Sequence, residues 1–170
     1  MGLDQQLKKL ANGDQSAFEH IYYQTYKLVY YIALSILKER SLAEDVMQSA
    51  YLSAIKHASS YKSGTNALAW IVRIARNEAL NVKKKRGREV SVDENVHLQR
   101  FGTAVTDDYG LLTDLARQVL AEEEFTVLML VSQSYTRAEI SEILDMPVST
   151  VTYKFNCAAE KMRKALEENK

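Results

Sequence analysis

The sequence has few of the residues that break helices or cross-link a fold. It contains one cysteine, one proline and six glycines in 170 residues. A single cysteine cannot form an internal disulfide, and so little proline and glycine leaves long helices uninterrupted. No segment alternates apolar and polar residues in the manner of a β-strand. We therefore expect an all-α protein.

Long apolar runs and metal-ligand patterns are also scarce. The longest apolar run, LVYYIALSIL at residues 28–37, is about half of what a membrane-spanning helix needs. The N-terminus lacks the pattern of a signal peptide. The three histidines (His20, His57 and His97) are not at metal-ligand spacing, and there is no glycine-rich phosphate loop. We expect a cytoplasmic protein that is not an enzyme, with no cofactor, no bound metal and no membrane insertion.

Net charge is zero, with 22 bases and 22 acids, but the charge is unevenly distributed. Residues 61–88 hold eight bases and one acid, a net of +7, whereas residues 89–130 hold nine acids and two bases, a net of −7. Helical periodicity disappears between about Arg88 and Tyr109, which predicts a flexible acidic linker at residues 89–110. The linker divides the chain into two small helical domains, residues 1–88 and 111–170.

One predicted helix, AEDVMQSAYLSAI, has an unusual outer face. Helical spacing predicts one buried stripe, formed by Ala43, Val46, Met47, Ala50, Tyr51 and Ala54. The opposite face carries Asp45, Gln48 and Leu52. A leucine beside an acid and an amide suggests a protein contact, although single exposed leucines are also ordinary.

A second predicted helix begins near Ala67 and carries most of the positive charge. Its predicted apolar side comprises Ala67, Trp70, Ile71, Ile74, Ala75 and Val82, and Arg73, Arg76, Lys83 and Lys84 lie on the other side. Such a basic stripe matches nucleic-acid phosphates, and its alternative is a solvated helix face. The polar loop before it contains Tyr61 and Asn66, which could stack on or hydrogen-bond an unpaired base.

The last 35 residues predict two helices joined by a short turn. Thr136 and Glu139 form a capping box that starts the first helix, which runs to about Leu144. DMPVS is predicted to be the turn, in which Pro147 stops the first helix and Ser149 caps the second. The exposed residues at the start of that helix are Ser149, Thr150, Thr152, Tyr153 and Lys154. This layout is typical of a helix-turn-helix DNA-binding motif, and a simple helical hairpin is the alternative.

Four segments in this order resemble bacterial RNA polymerase sigma factors of the extracytoplasmic-function (ECF) group, within the sigma-70 family. They are GDQSAFEHIYYQTYKLVYYIALSIL, AEDVMQSAYLSAI, AWIVRIARNEALNVKKKRGR and YTRAEISEILDMPVSTVTYKFNCAAEKMRKAL. The resemblance implies that residues 1–88 are sigma region 2, which recognises and melts the −10 element. It also implies that residues 111–170 are sigma region 4, which recognises the −35 element.

The resemblance also implies partners and residue roles. Core RNA polymerase, through its β′ coiled coil and β flap, promoter DNA and an anti-sigma factor are the expected partners. The implied core-binding residues are Asp45, Gln48 and Leu52. The implied −10 residues are Tyr61, Asn66, Trp70, Arg73, Arg76, Asn77, Lys84 and Arg86. The implied −35 residues are Thr136, Arg137, Ser149, Thr150, Thr152, Tyr153 and Lys154.

The chain departs from the family pattern in region 4. Thr152, Cys157, Ala159 and Glu160 stand where the family often has basic residues, which implies a weak hold on the −35 element. An alternative function is a helix-turn-helix regulator that acts without core polymerase. It would use residues 136–166 but leave the two outer faces of the first domain without a role.

Overall fold

The computed structural model describes residues 2–88 and 110–168, and every regular element in those two ranges is helical. The elements are α1 (Leu3–Ala11), α2 (Ala17–Leu37), α3 (Arg40–Lys56), a short 3-10 helix (Ala58–Ser60), α4 (Ala67–Arg88), α5 (Gly110–Val119), α6 (Glu122–Ser132), α7 (Arg137–Leu144) and α8 (Val148–Glu168). They form two compact units, α1–α4 and α5–α8. The prediction of two small all-α domains is confirmed. Except for Gly110, where α5 begins, the predicted linker lies outside the described residues, and the domain bounds stay a prediction.

The first unit is built around α2, which packs against α1, α3 and α4. Its middle is apolar on every side, with Val29, Ala33 and Leu34 fully buried. A helix that is hydrophobic all round is buried all round, because no face of it gains from water. Helices α3 and α4 pack against α2 and against each other. Their remaining faces are exposed to solvent.

A buried hydrogen bond joins α2 to α3 in this core. The Thr25 hydroxyl lies 2.7 Å from the Ile21 carbonyl, which can only accept, so its single hydrogen is given there. The Tyr51 hydroxyl, 2.7 Å from the Thr25 oxygen, must then be the donor to it. Burial raises the pKa of Tyr51, which therefore stays neutral. Phe18 and Tyr22 surround the Tyr51 ring, with centroids at 5.7 and 5.1 Å.

We expect the two ends of this bond to differ in how much they stabilise the fold. Thr25→Val leaves the buried Tyr51 hydroxyl without an acceptor and should lower the free energy of unfolding by about 1–3 kcal/mol, whereas Tyr51→Phe should cost about 1 kcal/mol or less. Trp70, the sole tryptophan, lies in this unit, so urea unfolding followed by its fluorescence reports on α1–α4 alone. Equal losses for the two variants would contradict the donor assignment.

The second unit is centred on α8, which contacts α5, α6 and α7. Its core includes Phe125, Leu130, Ile140, Val151 and Ala158. The apolar positions 151, 158 and 165 of α8 recur at intervals of seven residues, which are two helical turns. They keep one face of α8 buried along the helix and leave the other to solvent.

Candidate polymerase and nucleic-acid interfaces

Helix α3 presents the outer face that its sequence predicts. The six residues of the predicted stripe, Ala43 to Ala54, are the six buried residues of the helix. Opposite them, Asp45 is exposed, Gln48 is half-buried and Leu52 has 66% of its surface exposed. Ile55, one turn further along, is also exposed. A leucine and an isoleucine open to solvent beside an acid form a small apolar patch with a polar rim, which suits a protein partner.

Helix α4 presents a polar and basic stripe to solvent. Arg73, Asn77, Leu80, Asn81 and Lys84 are all exposed and follow the spacing of one helical face. The stripe runs from Arg73 to Lys84, a rise of about 16 Å along the helix. Lys83, Lys85 and Arg86 are also exposed at the end of the helix. A rigid row of cations and amides can contact phosphates through the charges and other polar DNA atoms through the amides.

The inward side of α4 differs from the prediction. Val72 and Ala79 are buried with Ile71 and Ala75, whereas Trp70, Ile74 and Val82 are only half-buried. The reason is that α4 packs mainly against two helices, α2 and α3, with a smaller contact to α1, so its buried face is wider than one stripe. Arg76, predicted on the outer side, is half-buried at the edge of this face.

Arg86 forms an ion pair with Glu39. Its Nη1 lies 2.8 Å from Oε2 of Glu39, in the turn between α2 and α3, with both side chains about half exposed. The hydrogen bond from Arg86 lowers the pKa of Glu39. This pair between the end of α4 and a residue 47 positions earlier has no signal in the local sequence.

Tyr61 has a different position from the one predicted. Only 8% of its surface is exposed, and its ring packs edge-on against Trp70 at 5.5 Å. Its hydroxyl lies 2.6 Å from Oδ1 of Asp4 and 2.8 Å from the Thr65 carbonyl. The ring lies inside the unit and is not accessible for stacking on a base in this structure, so a role of Tyr61 in −10 binding stays a prediction.

Asn66 sits where α4 begins. Its Oδ1 accepts a hydrogen bond of 2.9 Å from the backbone N–H of Ala69, three residues on. This is the geometry of a helix N-cap, which satisfies one of the free N–H groups of the first turn. The side chain is also exposed, so capping and a contact to DNA are compatible.

The two helices α7 and α8 form the predicted helix-turn-helix. Thr136 and Glu139 make the capping box in both directions, with Glu139 accepting from the Thr136 N–H at 2.7 Å and Thr136 accepting from the Glu139 N–H at 3.3 Å. The turn begins with Asp145 in the left-handed region, at φ +52°.

Ser149 was predicted to cap α8, but it does not. A cap at Ser149 would start the helix at Thr150, but α8 begins two residues earlier, at Val148, and the Pro147 carbonyl accepts the first bond, from the Val151 N–H at 3.0 Å. Proline is tolerated at this position because a residue before the first helical turn donates no N–H to the helix. Ser149 instead lies exposed in the first turn.

The other candidate residues of α7 and α8 are engaged to different degrees. Tyr153 is the most open, with 67% of its surface exposed, and Thr150 is half-buried. The Thr152 hydroxyl donates to the Val148 carbonyl at 3.0 Å, which leaves its lone pairs available. Arg137 lies over the Phe155 ring, 4.9 Å from its centroid, and so joins α7 to α8.

Two lysines of α8 are paired with acids of α6. Lys154 lies 2.6 Å from Oε2 of Glu123, and Lys161 lies 2.8 Å from both oxygens of Glu124. Burial raises the pKa of Glu124, but hydrogen bonds from Lys161 and from the Ala121 N–H outweigh it, so that its pKa is lowered. The pairs neutralise part of the small positive charge of α8.

Comparison with known proteins gives the family. The family model for Sigma-70 region 2 matches residues 21–89. Over nearly the full length, the chain is 26% identical to the ECF RNA polymerase sigma factor SigW of Bacillus subtilis, with 99% of this chain and 98% of that protein covered. It is 23% identical to the ECF RNA polymerase sigma factor SigK of Mycobacterium tuberculosis H37Rv, with 97% and 94% covered. The region 2 match and these relatives over nearly the full length support an ECF sigma factor of the sigma-70 family.

Two solved structures share the fold of this chain. CnrH, in complex with the cytosolic domain of CnrY, has a TM-score of 0.71 at 18% identity, with 98% of each chain covered. RpoE of Bartonella quintana, in complex with the anti-sigma factor NepR, has a TM-score of 0.64 at 20% identity, with 90% of this sigma factor and 98% of RpoE covered.

The region 2 match includes the α3 patch, the loop before α4 and the α4 stripe of this sigma factor, but not α1. The sequence analysis did not identify three residues that contact these surfaces: Asp4 in α1, Glu39 before α3 and Glu123 in α6. Each is an acid whose partner lies 31 or more positions away in the chain, as the numbering of the pairs shows. No local pattern identifies such pairs. Within the described part of the chain, no helix is both long and apolar enough to cross a membrane.

Proposed function

We propose that this sigma factor binds core RNA polymerase and directs it to specific promoters, where it recognises the −35 element and melts the −10 element. The observation that carries the proposal is that one rigid unit presents two different outer faces. One is an apolar patch with an acidic edge on α3, and the other is a basic and polar stripe on α4. A regulator that bound only DNA would have no use for the first face.

We assign the α3 face to the β′ coiled coil of core polymerase. Leu52 is its central apolar group, and Asp45 and Gln48 supply the polar edge that gives such contacts their orientation. We assign the α4 stripe, with Asn66 and Trp70 at its start, to −10 DNA. Arg73 and Lys84 supply phosphate contacts and Asn77 supplies a hydrogen-bonding group between them.

We assign the exposed start of α8 to the −35 element, with Tyr153 as its most accessible side chain and Ser149, Thr150 and Thr152 beside it. The first residues of a recognition helix contact base edges, and uncharged polar side chains there hydrogen-bond to them. The second unit is also proposed to contact the β flap. An anti-sigma factor is a further proposed partner, since RpoE, one of the structural neighbours, was solved with one. The protein would act in the cytoplasm, as a regulatory factor and not as an enzyme.

The experiment that tests the function is in vitro transcription with core polymerase on a library of genomic fragments, with and without this protein. We expect a defined subset of fragments to be transcribed only when the protein is present. Specific binding of a palindromic site by the isolated chain, without promoter-dependent transcription, would instead establish the regulator that acts without polymerase.

The ion pair between α6 and α8 leads to a prediction about −35 binding. Glu123→Gln removes the partner of Lys154 and leaves that cation available to a phosphate. We expect tighter promoter binding at low salt and a salt dependence of log affinity that is steeper by about 0.9, the value of one phosphate contact. Glu167→Gln makes the same charge change near the end of α8 and is the matched control. Both would be measured by open-complex formation across a salt series, and an equal effect of the two variants would contradict a specific role for the pair.

A further inference from the structure

The carboxylate of Asp4 gathers three hydrogen bonds from a single distant loop. Oδ1 accepts from the Tyr61 hydroxyl at 2.6 Å and from the Gly64 N–H at 2.9 Å, and Oδ2 accepts from the Ser63 hydroxyl at 3.1 Å. Asp4 lies in the first turn of α1, and the loop is 57 to 60 residues later in the chain. These contacts are the polar connection between the N-terminal helix and residues 61–66, here called the α4-entry loop.

The Tyr61 hydroxyl can give its single hydrogen to only one of its two acceptors. The bond to Asp4 is shorter than that to the Thr65 carbonyl, and its acceptor is ionised, so we place the hydrogen on the Asp4 bond. In agreement, the hydrogen bonds from Tyr61 and then from Gly64 lower the pKa of Asp4. The acid is therefore ionised at neutral pH and accepts from all three donors.

The rest of the α4-entry loop is also held in one shape. Gly64 has φ +84°, in the left-handed region that glycine adopts most readily. Its backbone N–H is the one that donates to Asp4. The Thr65 N–H and hydroxyl both donate to the Lys62 carbonyl, at 3.2 and 2.7 Å. Asn66 caps α4 at the far end. A short turn, a cap and the Asp4 carboxylate together fix the loop before any ligand arrives.

The α4-entry loop exposes hydrogen-bonding side chains that a ligand can reach. Every residue from 62 to 66 is exposed although the backbone is held in place from inside. The side chains are a lysine, a serine, a threonine and an asparagine, all able to hydrogen-bond, and they lead directly into the α4 stripe. A loop that is already ordered loses less conformational entropy on binding than a mobile one, so its contacts contribute more of their energy to affinity and selectivity.

We propose that α1 is part of the −10 recognition surface, with Asp4 as a positioning residue that holds the α4-entry loop in the shape that contacts an unpaired base of the opened −10 strand. This rests on the proposed function, because it requires that the loop and α4 meet promoter DNA. Asp4 itself does not touch DNA. It acts through Tyr61, Ser63 and Gly64, and Tyr61 is accordingly an internal support and not a stacking platform.

The test uses the full-length protein with core polymerase and a promoter recovered from the fragment library. Initiation rates are measured on that promoter and on versions with single substitutions through the −10 and −35 elements. We expect Asp4→Ala to reduce discrimination at one or two −10 positions by about tenfold, the size of one good base contact, with −35 preference and core binding unchanged. Tyr61→Phe should reduce discrimination at the same positions, and amide exchange at Gly64 should become faster in Asp4→Ala.

The matched control is Asp14→Asn compared with Asp4→Asn. Asp14 is an exposed aspartate of the same unit that accepts hydrogen bonds from Ser16, so it carries the same charge change without touching the loop. Only the Asp4 change should alter −10 preference. A template whose −10 bases are already unpaired should keep the defect, because the loop is proposed to contact the base and not to open the duplex.

Two outcomes would overturn the inference while leaving the function intact. One is unchanged −10 discrimination in Asp4→Ala. The other is a uniform loss of activity on every template, in proportion to the loss of folded protein measured by Trp70 fluorescence, which would make Asp4 a residue of the fold alone. If the wild-type protein gave no promoter-dependent initiation with core polymerase, the proposed function itself would be overturned, and the inference with it.

Discussion

Leu52→Arg is expected to abolish binding to core polymerase while the protein remains folded. The substitution places a charge at the centre of the apolar patch on α3, where a partner would have to bury it. Loss of a central contact in an interface costs about 2–4 kcal/mol, and an unpaired buried charge adds to this, so affinity should fall by about 100-fold or more. Co-purification with core polymerase and a binding titration would measure it.

Stability should hardly change in this variant, because Leu52 is 66% exposed and contributes little to the core. Surface substitutions of this kind usually change the free energy of unfolding by about 0.5 kcal/mol or less. Leu111→Arg is the matched control, since Leu111 is a leucine of the second unit that is 88% exposed. Core binding that survives Leu52→Arg, or is lost equally in Leu111→Arg, would contradict the assignment of the α3 face.

The second large effect is expected on α4. The double variant Arg73→Ala with Lys84→Ala removes two exposed cations from one helical face, about three turns apart. If both contact phosphates, the dependence of log affinity on log salt should become shallower by about 1.8, and affinity should fall on all promoters alike. Open-complex formation over a salt series measures both quantities.

Arg73 is preferred to Arg76 for this test because Arg76 is half-buried, and its removal would also disturb packing. The control is Lys9→Ala with Lys56→Ala, which removes two exposed lysines from the same unit outside α4. Unequal losses that depend on the −10 sequence would show that Arg73 or Lys84 contacts bases. An unchanged salt dependence would show that the stripe does not hold phosphates.

The comparison of α3 with α4 explains how far the sequence alone leads. On α3 the predicted stripe and the buried residues agree at all six positions, because its inner face forms one continuous strip against its neighbours. On α4 the helix bounds were predictable, but the buried face was not. That face contacts both α2 and α3, so it is wider than a single apolar stripe. Two buried residues, Val72 and Ala79, therefore lie outside the stripe that the sequence predicted.

Local chemistry was predictable wherever both partners are close in sequence. The capping box of Thr136 and Glu139, the start of α4 near Ala67 and the helix-turn-helix follow from short-range rules for caps, spacing and proline. Ser149 is the exception. Its hydroxyl suits a cap, but the Pro147 carbonyl accepts the first helical bond, so the cap position lies two residues earlier.

The sequence by itself determined the helical class, the outer face of α3 and the resemblance to ECF sigma factors, because each depends on periodicity or on short motifs. Only the tertiary structure decided that Tyr61 is an internal support, that Lys154 is paired with Glu123 and that Asp4 holds the α4-entry loop. Each of these rests on contacts between residues 31 to 60 positions apart, as the numbering of the pairs shows. Such pairs form because the packing of helices brings those residues together, and no helical period encodes which distant acid a given hydroxyl or cation will meet.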